Sequence, residues 1–345
     1  MASKARWIFL AIGIALFSYL VYNFGVQKIV EMIGKTRWWF LAIIGVWGVT
    51  YICNTISFSL ILGEERHRVG FFRLWGLVVS GYAINYITPF VNVGGEPYRI
   101  MVLKQFLGTH RAISATILYK MINVLSHFFF LIVGIMAITL STTLSTSFAL
   151  ILGVALLIIL SLIVFFFSHH QRGIFELLLR WLSRRKWLSR MSKKLTAQEE
   201  SLLQIDHQIT ELYRLRRPSF YGALASDLLG RMVASLEFYF ILHAVGFHLS
   251  LWHAFYINAA ASLLLNLVFF IPFELGSREG SLYLVINTLS IPAQIGIYIA
   301  LVSRIREFFW ILIGLVLSWI FGHQTPHRPL NEMVAGENHV ASPLV

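Results

Sequence analysis

Six stretches of this chain are predominantly apolar and long enough to cross a lipid bilayer: 7–24, 38–62, 112–140, 148–168, 219–246 and 293–321. An α-helix rises about 1.5 Å per residue, so about 20 residues cover roughly 30 Å of hydrocarbon. A water-soluble fold has nowhere to hide that much apolar surface. Of the 345 residues, 57% are hydrophobic and 13% charged, against about 25% charged in soluble domains. The expected fold class is therefore all-α, a polytopic helical membrane protein. Lys4 and Arg6 ahead of Trp7–Phe24 look like the start of a signal peptide, but no small-residue cleavage site follows Tyr22-Asn23-Phe24. The segment reads as an uncleaved first span.

Two further apolar stretches, 72–90 and 252–290, are interrupted. One contains Thr88-Pro89-Phe90-Val91-Asn92-Val93-Gly94-Gly95-Glu96-Pro97, the other Pro272-Phe273-Glu274-Leu275-Gly276-Ser277-Arg278-Glu279-Gly280. Proline removes a backbone donor and glycine frees the backbone angles, so a helix should break at each.

Charge distribution orients the chain. Between His169 and Pro218 stand 11 Lys/Arg against 5 Asp/Glu, half of the net charge of +12. A basic loop between apolar spans belongs on the cytoplasmic side and favours anionic headgroups. With no nucleic-acid motif beside it, this charge does not point to nucleic acid. Counting spans backward from that loop puts Lys104 and Arg111 inside. With Lys4 and Arg6 also inside, 72–111 starts and ends in the cytoplasm as a re-entrant hairpin. In the second half, 252–290 dips in from outside, provided that 293–321 is one span. Two broken hairpins entering from opposite faces make an inverted-repeat arrangement. Lys28, Lys35 and Arg37 in the first outer loop run against this topology. The loop 169–218, with Phe175, Leu178, Trp181 and Leu182 among basic residues, reads as an amphipathic surface helix. Residues 324–345 read as a disordered tail.

Non-helical backbone at membrane depth survives only when packed in protein or lining a wet cavity. Pro89, Gly94 and Gly95 fit a cavity-lining turn or a packed kink, with Asn85, Glu96 and Arg99 nearby as donors and acceptors. In the second turn, Arg278 and Glu279 either neutralise other buried groups or bind a lipid phosphate, to which a guanidinium fork is suited. Buried charges cost about 2.5–3.5 kcal/mol each and need partners. Asp227 and Arg231 stand four apart and are expected to pair, with Glu237 further along the same span. Arg304 and Glu307 can pair at i,i+3, or Arg304 can meet Glu279 across helices. Lys120 has no local acid, so it either snorkels or meets a distant partner or a bound anion.

His127, His243, His248 and His253 lack metal-site spacing, and HExxH, Walker and GxSxG motifs are absent, so no metal, cofactor or soluble catalytic module is expected. Cys53, the one cysteine, allows no intrachain disulfide.

The pairing of Asn85-x3-Pro89-x4-Gly94-Gly95-x3-Arg99 with Pro272-x3-Gly276-x2-Glu279 resembles the lysylphosphatidylglycerol synthase transmembrane (flippase-like) family. Arg304 in Leu301-Val302-Ser303-Arg304-Ile305 resembles that family's final motif. The similarity covers about 5–322, although the motifs occupy only some 30 residues. It implies one transmembrane domain over 1–323 that translocates a modified phospholipid or another lipid-linked headgroup. The full synthase carries a soluble aminoacyltransferase domain, and this chain stops at Val345, so aminoacyl transfer is not expected of it. Phe273-Glu274 stands where small residues are usual, and Lys120 where arginine is frequent.

The resulting expectation is a flippase-like lipid transporter of the cytoplasmic membrane. Its partner is an anionic or aminoacylated phospholipid or a lipid-linked sugar. Arg99, Arg278 and Arg304 hold phosphate; Glu96, Glu237 and Glu279 balance charge or bind a cationic headgroup. Gly94, Gly95, Gly276 and Gly280, with Pro89 and Pro272, shape the turns. The alternatives are a membrane enzyme acting on a lipid or lipid-linked glycan through Glu96 or Glu279, and an accessory protein that docks a separate lipid-modifying enzyme.

Overall fold

The computed structural model describes residues 26–87, 94–141, 146–169, 216–267, 274 and 276–322. The expected first span, Pro89, Pro272, Phe273, most of the basic loop and the C-terminal tail lie outside them. Every regular element among the described residues is helical. They are α1 (Val26–Thr36), α2 (Trp39–Leu62), a 3-10 turn (Gly63–Glu65), α3 (Arg66–Val69), α4 (Phe71–Ile87) and α5 (Gly95–Leu107). Then follow α6 (Thr109–Ser141), α7 (Thr146–His169), α8 (Arg217–Ala234), α9 (Leu236–Ala244), α10 (Leu251–Leu267), α11 (Ser277–Asn287) and α12 (Gln294–Gly322).

Apolar runs free of proline became long helices. Trp39–Val69 and Thr109–Thr139 are long and apolar enough to cross a bilayer, and Leu152–Phe165 is a shorter apolar helix. The last apolar stretch is one helix of 29 residues that passes through Arg304 without a break. The expected span 219–246 is helical through α8 and α9, which join at Ser235 with helical backbone angles, φ −64° and ψ −23°. There the backbone tightens, with Phe238 N–H donating to the Ser235 carbonyl at 3.1 Å. Ser235 Oγ takes a hydrogen bond from Asn258 Nδ2 at 2.9 Å and reaches the Arg231 carbonyl at 3.4 Å. A serine hydroxyl bonded back to the preceding turn commonly disturbs a helix in this way.

The interrupted stretches became shorter helices: 17 and 13 residues for α4 and α5, 17 and 11 for α10 and α11. At 1.5 Å per residue these measure about 16–26 Å, less than the hydrocarbon thickness.

The packing pairs elements of the two halves. Helix α2 lies antiparallel to α8 and α9: Leu60 meets Arg216, Cys53 meets Ser226, Thr50 meets Gly230, and Trp39 meets Phe240. Helix α4 runs antiparallel to α12, with Gly76 against Phe321 and Ser80 Oγ donating to the Gly314 carbonyl. In the same way α10 runs antiparallel to α6, with Gly134 against Ala259 and His127 against Asn266. The first helix of each interrupted stretch thus packs on the long helix that follows the other interrupted stretch.

One end of the bundle gathers basic side chains. Arg111 pairs with Glu65, Arg73 lies 4.6 Å from the Phe106 ring centroid, and Arg216 donates to the Leu60 carbonyl. At the opposite end Thr36 meets Tyr298, and Trp39, Tyr239, His243 and His248 form a ring cluster.

Candidate functional site at two broken-helix turns

Where α4 stops, Asn85 Oδ1 accepts the Gly95 N–H at 2.6 Å. It thereby caps α5, whose first-turn donors have no partner within the helix. The turn fits because glycines stand on both sides of it. A Cβ on Gly95 would lie 2.2 Å from the Gly81 carbonyl oxygen, and one on Gly81 would lie 2.6 Å from Arg99 Nε. Only hydrogen atoms at these two positions let α5 approach α4 and let the Arg99 guanidinium lie along it.

Arg99 is 3% exposed. Its NH1 lies 3.6 Å from Glu96 Oε1, and its guanidinium carbon 5.2 Å from the Tyr119 ring centroid. Lys120 Nζ reaches the same Glu96 oxygen at 3.0 Å, with 45% of the lysine side chain exposed. This is the distant partner that the sequence left open for Lys120. These contacts are charge proximity without alignment: both Glu96 oxygens and Arg99 Nε are buried and hydrogen-bond to nothing. Two cations share one carboxylate, leaving a local surplus of one positive charge beside the N-terminus of α5, itself favourable to anions.

The second turn is constructed differently. Gly276, at φ 78°, caps α11, and its N–H donates to Glu279 Oε2 at 2.9 Å. Glu279 Oε1 accepts from Arg304 Nε at 2.7 Å, and Arg304 NH2 also donates to the Glu274 carbonyl. The interhelical pairing of Arg304 is therefore the one that forms. Arg278 donates twice to Glu274 Oε2, at 3.0 and 2.6 Å, and once to Glu307. Glu307 faces Arg278 and, at 3.7 Å, Arg306. Gly280 sits in regular helix with open space around it, so nothing there requires glycine.

Arg306 and Trp47 escaped the sequence reading. Arg306 donates to both oxygens of Glu237, at 3.2 and 2.9 Å, and lies 3.7 Å from the Trp47 ring centroid. Trp47 Nε1 completes the group by donating to Glu237 Oε2 at 2.7 Å. Glu237 thus belongs with α12 and α2, not with Arg231.

Asp227 and Arg231 form the expected pair at 3.4 Å within a wider network. Asp227 accepts from Ser126 and Asn123, while Arg231 donates to Ser126 Oγ, the Asn123 carbonyl and His127 Nδ1. Asn266, near the end of α10, caps no described helix. Its amide bonds to the Ser262 carbonyl and His127 Nε2.

Tyr86, next to the capping Asn85, lies near Glu307, Arg278 and Arg304 of the second cluster. Both sets of charges face the middle of a long helix, Lys120 on α6 and Arg304 to Glu307 on α12.

A family model described as the lysylphosphatidylglycerol synthase TM region matches residues 6–314. The chain belongs to this family. No curated protein and no solved structure matches it. Membership makes the protein a membrane-family domain, all-α, and the match contains both turns and every side chain of the two charged clusters described above. Among the described residues no group of three or more His, Cys, Asp or Glu can hold a metal ion.

Proposed function

We infer that this lysylphosphatidylglycerol synthase TM-region protein moves a phospholipid headgroup across the cytoplasmic membrane through the space between its two turns. The observation that carries this reading is the incompletely neutralised cluster of Arg99, Lys120 and Glu96 at a broken helix. A buried guanidinium with an idle donor, a second cation reachable from outside, and a helix N-terminus make a seat for a phosphate.

Several features support the path. Helices α4, α5, α10 and α11 are too short to cross hydrocarbon, and their broken ends face the middles of α6 and α12. In a bilayer this corresponds to two re-entrant hairpins from opposite leaflets. The basic end holding Arg66, Arg68, Arg73, Lys104, Arg111, Arg216 and Arg217 would face the cytoplasm. Arg278 and Arg304 are committed to carboxylates, so the phosphate seat falls to Arg99 and Lys120 in this arrangement. Glu274, Glu279, Glu237 and Glu307 outnumber their three arginines and supply negative charge near the opposite turn, suited to a cationic headgroup substituent.

Fluorescent phospholipid translocation in proteoliposomes tests this reading. Wild type should move lipid between leaflets, and the double variant Arg99→Ala/Lys120→Ala should fall to the protein-free rate while remaining folded. Equal rates for the two proteins would refute it.

A further inference from the structure

Resting on that reading, we propose that Glu96 is a resident stand-in for the substrate's anion. The lipid phosphodiester takes Arg99 and Lys120 from it on binding, and it reclaims them on release. Three observations lead there. First, Glu96 touches both cations through one oxygen, at 3.6 and 3.0 Å, yet neither contact is an aligned hydrogen bond. A carboxylate held for stability alone ordinarily makes directional charge-assisted bonds, as Glu279, Glu274 and Glu237 all do here. Second, Arg99 is 3% exposed and keeps Nε without an acceptor, so the site holds a donor that its present occupant does not use. Third, Lys120 is the accessible member of the trio, which gives an incoming group a side from which to approach.

Charge favours the class of ligand. With Glu96 in place the trio carries one net positive charge, which a singly charged phosphodiester neutralises. When displaced, the Glu96 carboxylate remains in the first turn of α5, where the helix end still favours a negative group. The exchange lets each cation keep a partner throughout, avoiding the several kcal/mol cost of a bare buried charge. Glu96 thereby weakens binding, and weak binding is what allows release on the far side.

The test is ligand affinity of the purified full chain in detergent, with dihexanoyl phosphatidylglycerol and inorganic phosphate as separate probes. Removing the competing carboxylate in Glu96→Gln should tighten binding of the short-chain lipid by about tenfold or more. Glu96→Ala should do the same, which guards against an effect peculiar to the amide. Tighter lipid binding in both folded variants, with inorganic phosphate bound more weakly than the lipid, is the expected result. Unchanged or weaker lipid binding in both would overturn the proposal, as would absence of binding by wild type. Preference for inorganic phosphate would overturn the assignment to a lipid. If wild type translocates lipid while Glu96→Gln leaves affinity unchanged, the stand-in role fails and the transport reading survives; absence of translocation by wild type removes the transport reading itself.

Discussion

At the first turn one carboxylate serves two cations across 3.0 and 3.6 Å with no aligned hydrogen bond. At the second, Glu274 and Glu279 take aligned bonds from Arg278 and Arg304 at 2.6–3.0 Å. Both turns break a helix, both use a glycine at the restart and both put an arginine within the next five residues. They differ in how the cations are held. Breaking an arginine aligned on a carboxylate strands a charge; cations without an aligned acceptor can take a ligand at less cost. The second cluster keeps one idle acceptor, Glu307 Oε2, which is buried without a partner. The contrast assigns anion capture to the first turn.

The sharpest way to break this contrast is to delete one carboxylate from each side. Glu279→Ala takes from Arg304, whose side chain is 5% exposed, its aligned carboxylate at the second turn. It should cost about 3–5 kcal/mol, seen as a large drop in the thermal midpoint in detergent. Glu96→Ala leaves buried Arg99 without a carboxylate but breaks no aligned hydrogen bond, so it should cost less, about 1–3 kcal/mol. Equal losses would erase the distinction.

Glycines give a second comparison. Gly95→Ala places a methyl 2.2 Å from a backbone oxygen that cannot step aside. It should destabilise by about 1–3 kcal/mol and abolish lipid movement. The cap is a smaller matter: Asn85→Ala loses the acceptor for Gly95 N–H and should cost about 1 kcal/mol, while Asn85→Asp, which retains an acceptor, should lose less. Gly280→Ala should produce the smallest change, a gain of about 0.5–1 kcal/mol from better helix propensity. A strong loss there in the same unfolding assay would show that the second turn has a close approach of its own.

How far the sequence foretold this arrangement varied with the range of each contact. Proline–glycine breaks are local chemistry, so both turns were visible, and so was the Asp227–Arg231 pair at helical spacing. The meeting of Arg304 with Glu279 was one of two alternatives, since spacing cannot distinguish an i,i+3 partner from one on another helix. Arg306 was overlooked because its partner Glu237 is 69 positions away, and no periodicity encodes which two helices touch. Gly81 was overlooked for a different reason: within an apolar run it looks like any small residue, and its purpose appears only when Arg99 lies against it. The tightened turn at Ser235 is a local change of hydrogen bonding, invisible in a hydropathy pattern that stays apolar on both sides.

Native mass spectrometry of lipids that accompany the purified protein tests the phosphate seat most directly. Wild type and a Gly280→Ala control should each carry phospholipid, and Arg99→Ala/Lys120→Ala should emerge folded but stripped of it. Retention of the same phospholipid by the double variant would contradict the assignment of anion capture to the first turn.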